Sequence, residues 1–202
     1  HDHWLRMETR RERPDGTPEV DMNDCLKSSL RMRPDRIIVG EVRGPECATL
    51  LTAMNTGHDG SFGSLHANTA QETVTRMINP PMNVPPIMLS GLDLIIIQAR
   101  LHVNGKTARK ITEVAEIAGM EGDKPRLNII WKYNAATDQI EETGIPSKLR
   151  EIICKAAGVT PAVFEKHVEQ RQAILNDLVQ RDIDDTQTVS TVIQNFYASR
   201  AH

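Results

Sequence analysis

The sequence predicts an α/β protein that ends in a tail of three helices. Up to residue 145, short apolar runs such as Ile37–Val39 alternate with segments whose apolar residues recur at helical spacing. From Pro146 onward only the helical spacing remains, in three segments separated by turn residues. We therefore expect an α/β portion over residues 1–145 and a helical C-terminal subdomain over residues 146–202.

Composition and charge narrow the functional classes. The 202 residues include 24 Lys and Arg against 27 Asp and Glu, so the net charge is −3 and no basic excess indicates nucleic-acid binding. The apolar runs are far shorter than a bilayer span, and the polar N-terminus lacks the apolar stretch of a signal peptide. The three cysteines form no CxxC pair, which is typical of free thiols in a reducing compartment. We expect a cytoplasmic protein that binds no nucleic acid.

Capping and turn residues predict the N-terminal elements. Residues 3–9 alternate in polarity like a strand. Asp21 can cap a helix, because its side chain can accept from backbone N–H groups of the first turn. After the run Ile37–Val39, Pro45 is placed to start a second helix and Gly57 to end it.

The middle of the chain predicts a third helix and a set of strands. Residues 62–65 form a short apolar piece, and Thr69 with Glu72 has the form of a capping box. The four prolines of residues 79–86 indicate a loop. Further strands are predicted at "LDLIIIQARLHV", "KITEVAEI", "LNIIWKY" and "DQIEE", with turns at Asn104–Gly105, "EGDKP" and "NAATD".

The run Ile37–Val39 leads directly to Gly40 and the carboxylate of Glu41. An α/β sheet presents such an acid at the carboxyl edge of a buried strand, where ligands bind. In P-loop NTPases one strand places an acid beside Mg²⁺ and the attacking water. The alternative is a solvated carboxylate that pairs with Arg43 or Arg36.

Residues 53–69 contain three glycines and two histidines. Glycines let the backbone approach a ligand closely, and a histidine among them can donate to a phosphate oxygen. A metal site of His58, Asp59 and His66 is a second interpretation, although their spacing fits no usual zinc pattern. Two structural histidines are a third.

Two stretches together resemble the secretion ATPase superfamily. "LRMRPDRIIVGEVRGPE" is similar to its Walker B motif, in which the acid is the glutamate of Gly40–Glu41. "AMNTGHDGSFGSLHANTAQETVTRM" is similar to its His box, with His66 as the signature histidine and His58 in the preceding glycine turn. "KITEVAEIAGMEGD" resembles the strand and turn that follow in the tight-adherence pilus and archaeal branches. The resemblance extends over about residues 1–135.

The resemblance implies a partial RecA-like P-loop NTPase sheet that uses ATP and Mg²⁺. By this resemblance Glu41 would polarise the attacking water and hold Mg²⁺ through a bridging water. His66 would sense the γ-phosphate, and Gly40 and His58 would lie near the nucleotide. Arg43 is carried over as a further candidate for an arginine contact.

The N-terminal segment "HWLRMETRR" lies where the Asp box of the superfamily ends. That box supplies acids near Mg²⁺, and its acidic core is not in this chain. The resemblance carries over Arg6, Arg10 and Arg11 as candidates for charge stabilisation across a subunit interface. Solvated surface arginines are the alternative.

The superfamily comprises hexameric motors of type II and type IV secretion, type IV pili and the archaeal motility filament. The resemblance therefore implies a homo-hexamer that works with a polytopic membrane platform protein, at the inner face of the cell membrane. ATP hydrolysis would drive protein export or filament assembly. Which of these systems the chain serves is left open.

The phosphate-binding Walker A loop, G-x-x-x-x-G-K-[ST], does not occur in this sequence. The nearest match is Gly105-Lys106-Thr107, but Arg100 occupies the position of the first glycine, and a hairpin rather than a helix is predicted there. We expect the phosphate cradle to lie upstream. The chain alone is then expected to bind ATP weakly or not at all, to hold no tightly bound cofactor and to lack ATPase activity.

Two other functions remain open at this stage. A RecA-like nucleic-acid motor would share the architecture, although the near-neutral charge and few aromatic residues speak against it. A non-enzymatic fragment would bind a partner through its helical tail. The tail carries an apolar stripe that suits either a cap over the sheet or a partner surface, formed by Val163, Val168, Ile174, Leu175 and Leu178.

Overall fold

The computed structural model describes residues 4–103, 105–122 and 124–199 and has a mixed α/β architecture. The chain divides into two compact units between Lys148 and Leu149, called here the first and second units. Their assignment to functional domains stays a prediction. Asn104 of the predicted hairpin and Asp123 of the predicted "EGDKP" turn lie outside the described residues.

Three helices, six strands and two short 3₁₀ segments make up the described part of the first unit. The helices are α1 (Met22–Ser29), α2 (Glu46–Asn55) and α3 (Ala70–Ile78), and the 3₁₀ segments are Leu30–Met32 and Pro86–Gly91. The strands are β1 (Ile38–Val39), β2 (Phe62–Gly63), β3 (Leu94–Val103), β4 (Lys106–Glu121), β5 (Lys124–Asn134) and β6 (Gln139–Glu142).

The predicted caps start and end these helices. Asp21 accepts from the backbone N–H of Asp24 at 2.8 Å, and Asp24 accepts from that of Asp21 at 3.2 Å. Thr69 caps α3 by accepting from the N–H of Glu72 at 3.0 Å. Gly57 follows α2 with a φ of +96°, the left-handed conformation that favours glycine. The predicted capping box at α3 is only half formed, because the Glu72 carboxylate accepts from the N–H of Asn68.

The strands form two separate sheets. β1 and β2 pair in parallel, with Ile38 opposite Phe62 and Val39 opposite Gly63. β3, β4, β5 and β6 follow one another as an antiparallel meander. The core lies among α2, α3, β3, β4 and the segments between them, and includes Leu50, Leu51, Val74, Leu89, Ile95, Ile97 and Ala115.

Two strand predictions need correction. The run Ile37–Val39 was predicted to be a buried strand, but Ile38 is 63% exposed while Ile37 and Val39 are buried. Successive strand side chains point to opposite faces, so only one face of the run reaches the core. The predicted strand at residues 3–9 is also wrong for its described part, residues 4–9. Only the bridge between Arg10 and Val20 forms nearby, and one bridge cannot sustain a sheet.

The structure agrees with the prediction that Gly105-Lys106-Thr107 is not a phosphate-binding loop. Val103 pairs with Lys106 at the tight end of the β3–β4 hairpin, and Gly105 has a φ of +74°. Lys106 and Thr107 therefore belong to an antiparallel strand, and no helix begins there to bind phosphate at its N-terminus.

The second unit consists of the predicted helices. They are α4 (Lys148–Ala157), α5 (Pro161–Gln180) and α6 (Thr186–Ala198), with α4 beginning at the boundary residue. Most of the predicted stripe on α5 is exposed, and of its members only Leu178 is buried. Within the described ranges, no helix combines the length and apolarity needed to cross a membrane.

Candidate functional site

The β1–β2 pair brings the segment after each strand to the same edge. The backbone N–H of Ser64 donates to the carbonyl of Val39 at 3.3 Å, and that of Val42 donates to the carbonyl of Ser64 at 2.7 Å. The Ser64 hydroxyl also donates to the carbonyl of Gly40 at 2.6 Å. These bonds align the chain around Glu41 with the chain that leads to His66.

Glu41 and His66, the two principal site residues predicted from the sequence, are in contact. The Nε2 atom of His66 lies 3.2 Å from Oε1 of Glu41. His66 is almost fully solvent-exposed, with 89% of its side chain accessible, whereas the Glu41 side chain is 29% accessible. The pair therefore consists of a solvent-exposed imidazole in contact with a partly buried carboxylate.

Arg43 engages the other oxygen of the Glu41 carboxylate. Its guanidinium lies 2.5 Å from Oε2 of Glu41. The hydrogen bond from Arg43 holds the pKa of Glu41 below its usual value, and His66 lowers that pKa by a smaller amount. The charge of Glu41 reciprocally raises the pKa of Arg43. Glu41 is therefore an ionised carboxylate with both oxygens engaged.

Glu46 fixes the backbone of this segment, although it is not among the site residues predicted from the sequence. Its buried carboxylate accepts from the N–H of Arg43 at 2.6 Å and from that of Gly44 at 2.9 Å. In the sequence Glu46 follows Pro45 at the predicted start of the second helix, a position where acidic residues are favoured. Ser64 was also missed, and no sequence signal distinguishes it from other loop serines.

His58 makes contacts that stabilise the glycine turn. Its Nδ1 lies 3.2 Å from the carbonyl of Ala53 near the end of α2. Its own carbonyl accepts from the hydroxyl of Ser61 at 2.7 Å, and that hydroxyl accepts from the N–H of Ile37 at 3.0 Å. These contacts fit the structural interpretation of His58, and its predicted role near a nucleotide stays a prediction.

The three N-terminal arginines make local contacts or face solvent. Arg6 pairs with Glu8 at 2.5 Å. Arg10 donates to the carbonyl of Pro18 at 3.0 Å. Arg11 is exposed. The candidate role of Arg6, Arg10 and Arg11 across a subunit interface is therefore neither supported nor contradicted by their contacts.

The site offers one carboxylate, that of Glu41, as a possible metal ligand. Among residues 4–103, 105–122 and 124–199, no three His, Cys, Asp or Glu side chains cluster closely enough to hold one. Glu41 offers a single carboxylate, which fits Mg²⁺ held through a bridging water, because Mg²⁺ keeps several of its waters. Direct ligands for the ion would have to come from elsewhere.

A family model described as "Type II/IV secretion system protein" matches residues 6–190 of the chain. An uncharacterised protein of Methanocaldococcus jannaschii is 32% identical over 202 residues, which cover 98% of this chain and 36% of the relative. The type IV pilus assembly ATPase PilB of Pseudomonas aeruginosa is 41% identical over 83 residues, which cover 41% of this chain and 14% of the relative. The chain thus spans only part of the length of these curated relatives.

Among solved structures, the chain is similar to the VirB11 ATPase of the Brucella suis type IV secretion system. The two share 30% sequence identity, and the likeness covers 48% of this chain and 32% of that one. The TM-score is 0.41. The family assignment rests on the family model and the curated relatives.

Proposed function

Because the chain belongs to the type II/IV secretion system protein family, we propose that it is the C-terminal part of an ATPase that drives protein export or filament assembly. One observation carries this proposal. Glu41 and His66, which resemble the Walker B acid and the His-box histidine of the family, lie 3.2 Å apart at the edge of the β1–β2 pair. The two motifs therefore form one site.

Glu41 acts on the attacking water. The lowered pKa keeps this carboxylate ionised at neutral pH, so it can accept a hydrogen bond from the water and orient it toward phosphorus. His66 donates from Nε2 to an oxygen of the γ-phosphate and loses that contact when the phosphate departs. Mg²⁺, when bound, neutralises charge that develops on the phosphate oxygens. Glu41 is the residue that would hold the ion.

The remaining predicted residues surround this pair. Gly40 carries no side chain, and a Cβ built there meets no atom within 4 Å, so the backbone before Glu41 lies open to a ligand. His58 stabilises the turn before His66. Arg43 holds the Glu41 carboxylate in place, and Arg6, Arg10 and Arg11 face a neighbouring subunit.

The chain supplies one side of a larger active site. We propose a RecA-like domain whose phosphate cradle comes from a segment outside this sequence, within a homo-hexamer. The hexamer works at the cytoplasmic face of a membrane on a polytopic platform protein. This assembly is supported by the family and by the part of each relative that the chain covers.

The decisive experiment is phosphate release by the full-length protein from the same gene, with and without Glu41→Gln. We expect the substitution to lower kcat by about 10²–10⁴-fold, since it removes the base while keeping the shape. The matched control is Glu12→Gln, an exposed carboxylate outside the site. Equal rates for the two variants would contradict the proposed role of Glu41. Salt-sensitive DNA binding by the full-length protein would instead favour the nucleic-acid motor.

The isolated chain is expected to bind nucleotide weakly or not at all. Glu41 and His66 contact only the terminal phosphate and its water, whereas most binding contacts come from the cradle and its lysine. Titration of the chain with a fluorescent ATP analogue measures this directly. Saturation at micromolar concentration would show that the chain holds the phosphates without the cradle.

A further inference from the structure

The second unit contains a groove between α5 and α6 that the proposed ATPase function does not use. The groove has a volume of about 600 Å³, within the range of ligand pockets. α5 contributes residues at successive helical turns, and α6 closes the other side with an aromatic ring. The lining side chains are Val163, Lys166, His167, Gln170, Arg171 and Tyr197.

The charged side chains that line the groove are all positive. Lys166 and Arg171 are cations that line the groove. No carboxylate lines the groove, and α6 carries no charged residue along Thr186–Ala198. Neither Lys166 nor Arg171 has a carboxylate partner among the residues that the structure describes.

The acidic residues of α5 do not compensate these cations. Glu165 pairs with Arg150. Asp177 pairs with Arg181 at 3.1 Å. Glu169 is exposed and is not part of the groove lining. The cations of the groove can therefore pair with carboxylates of a molecule from outside the unit.

Arg171 is held in place by aromatic rings. Its guanidinium lies 5.7 Å from the ring centroid of Phe196 and 5.8 Å from that of Tyr197, and it donates to the carbonyl of His167 at 2.8 Å. Such contacts orient a cation without neutralising it. The guanidinium therefore keeps donors that a carboxylate can use in the bidentate geometry Arg favours.

The apolar walls indicate what else the occupant carries. Val163 is 40% exposed and Tyr197 is 53% exposed, so both can cover an apolar side chain. We propose that this groove docks an acidic segment of a partner protein, whose carboxylates pair with Lys166 and Arg171 and whose apolar side chain lies between Val163 and Tyr197.

Binding of two synthetic peptides to the 202-residue chain is measured by isothermal titration calorimetry. One peptide has repeated Glu-Glu-Leu-Leu units, and the other has Lys-Lys-Leu-Leu units. We expect the acidic peptide alone to bind, and its affinity to fall as salt is raised. Lys166→Gln and Arg171→Gln should each weaken it by about tenfold, the size of one lost charge-assisted hydrogen bond. The matched control, Lys155→Gln on α4, changes an exposed lysine outside the groove and should bind as the unmodified chain does.

Several outcomes would overturn the proposal. The proposal is contradicted if the acidic peptide does not bind or if the basic peptide binds equally well. It is also contradicted if Lys155→Gln weakens binding as much as the substitutions in the groove. Binding of the chain to phosphatidylserine vesicles that Lys166→Gln abolishes would identify a membrane surface as the occupant instead. Self-association that Lys166→Gln disperses would identify a second copy of the chain. None of these measurements involves ATP, so their outcome is independent of the test on Glu41.

Discussion

Glu41 is held by one side chain from its own segment and one from a distant segment. Arg43 engages Oε2 at 2.5 Å and His66 approaches Oε1 at 3.2 Å. Each carboxylate oxygen has a second lone pair, so Glu41 can accept a hydrogen bond from a water while both contacts remain. His66, as the more exposed and longer contact, is the one that a phosphate can displace more readily.

Removing Arg43 should raise the pKa of Glu41. The hydrogen bond from Arg43 is the largest cause of the lowered pKa. A carboxylate with a lowered folded-state pKa contributes stability above its unfolded pKa and loses that contribution as pH falls through the folded pKa. In Arg43→Gln, we expect the Glu41 pKa to rise toward its usual value and this contribution to shrink at neutral pH.

The measurement is a carbon-13 NMR titration of the Glu41 carboxyl in the complete chain. Arg31→Gln serves as the control, since Arg31 is an exposed arginine with no recorded contact to the site. An unchanged Glu41 titration in Arg43→Gln would show that the contact is absent in solution.

At the scale of elements, the site depends on close packing of β2 against β1 and α2. A Cβ at Gly63 would lie 3.0 Å from Cδ2 of Leu50, 3.1 Å from Cγ2 of Val42 and 3.4 Å from the carbonyl oxygen of Val39. A methyl group there would require the side chains of Leu50 and Val42 to shift by a few tenths of an ångström. Glycine at this position therefore allows the strand that leads to His66 to approach the strand that leads to Glu41.

Gly63→Ala should destabilise the chain by about 1–3 kcal/mol, because overpacking forces side chains and backbone to shift. Gly40→Ala is the matched control in the segment that follows β1, where an added Cβ meets nothing within 4 Å. Its effect should stay within about 0.5 kcal/mol, as for surface substitutions. Urea unfolding of the two variants measures the difference. Equal midpoints would contradict the packing of β2 described above.

A buried carboxylate also binds the last residues of the first unit. Glu116 on β4 is 2% exposed, accepts from the N–H of Lys148 at 2.7 Å and accepts from the hydroxyl of Ser147. These bonds satisfy polar groups at the beginning of α4. The sequence placed Glu116 within a strand but contained no indication that it would bind a segment so far along the chain.

The two units differ in how much of their apolar surface is buried. The core cluster lies entirely in the first unit, from Leu26 to Ile117. In the described part of the second unit, the buried hydrophobic residues are Cys154 and Leu178. Local stability follows buried apolar contacts, so the helices of the tail should open more readily than the sheet.

Hydrogen exchange followed by mass spectrometry tests this difference. Amides of α5 and α6 should exchange well before those of β3 and β4 at the same pH. The exposed helix α1, which packs on the core through Cys25 and Leu26, provides an internal reference with intermediate protection. Equal protection of the tail and the sheet would show that the tail is stabilised by contacts beyond its own buried residues.

The order and type of most elements, and the choice of Glu41 and His66 as candidate site residues, follow from local sequence patterns. Caps such as Asp21 and Thr69, and the glycine after α2, act on neighbours within a few residues, so their effects are readable locally. The change from strand to helix spacing near Pro146 is likewise a local pattern, and all three predicted helices formed.

Which face of each element is covered, and which side chains meet, depends on packing between segments that are distant in the sequence. Ile38 is exposed although its neighbours are buried, and residues 4–9 form no strand despite their alternation. The contact of Glu41 with His66 exists because β1 and β2 pair in one register, and a slip of one residue would turn their side chains to the other face. Register depends on packing between distant segments, so local sequence pattern cannot determine it.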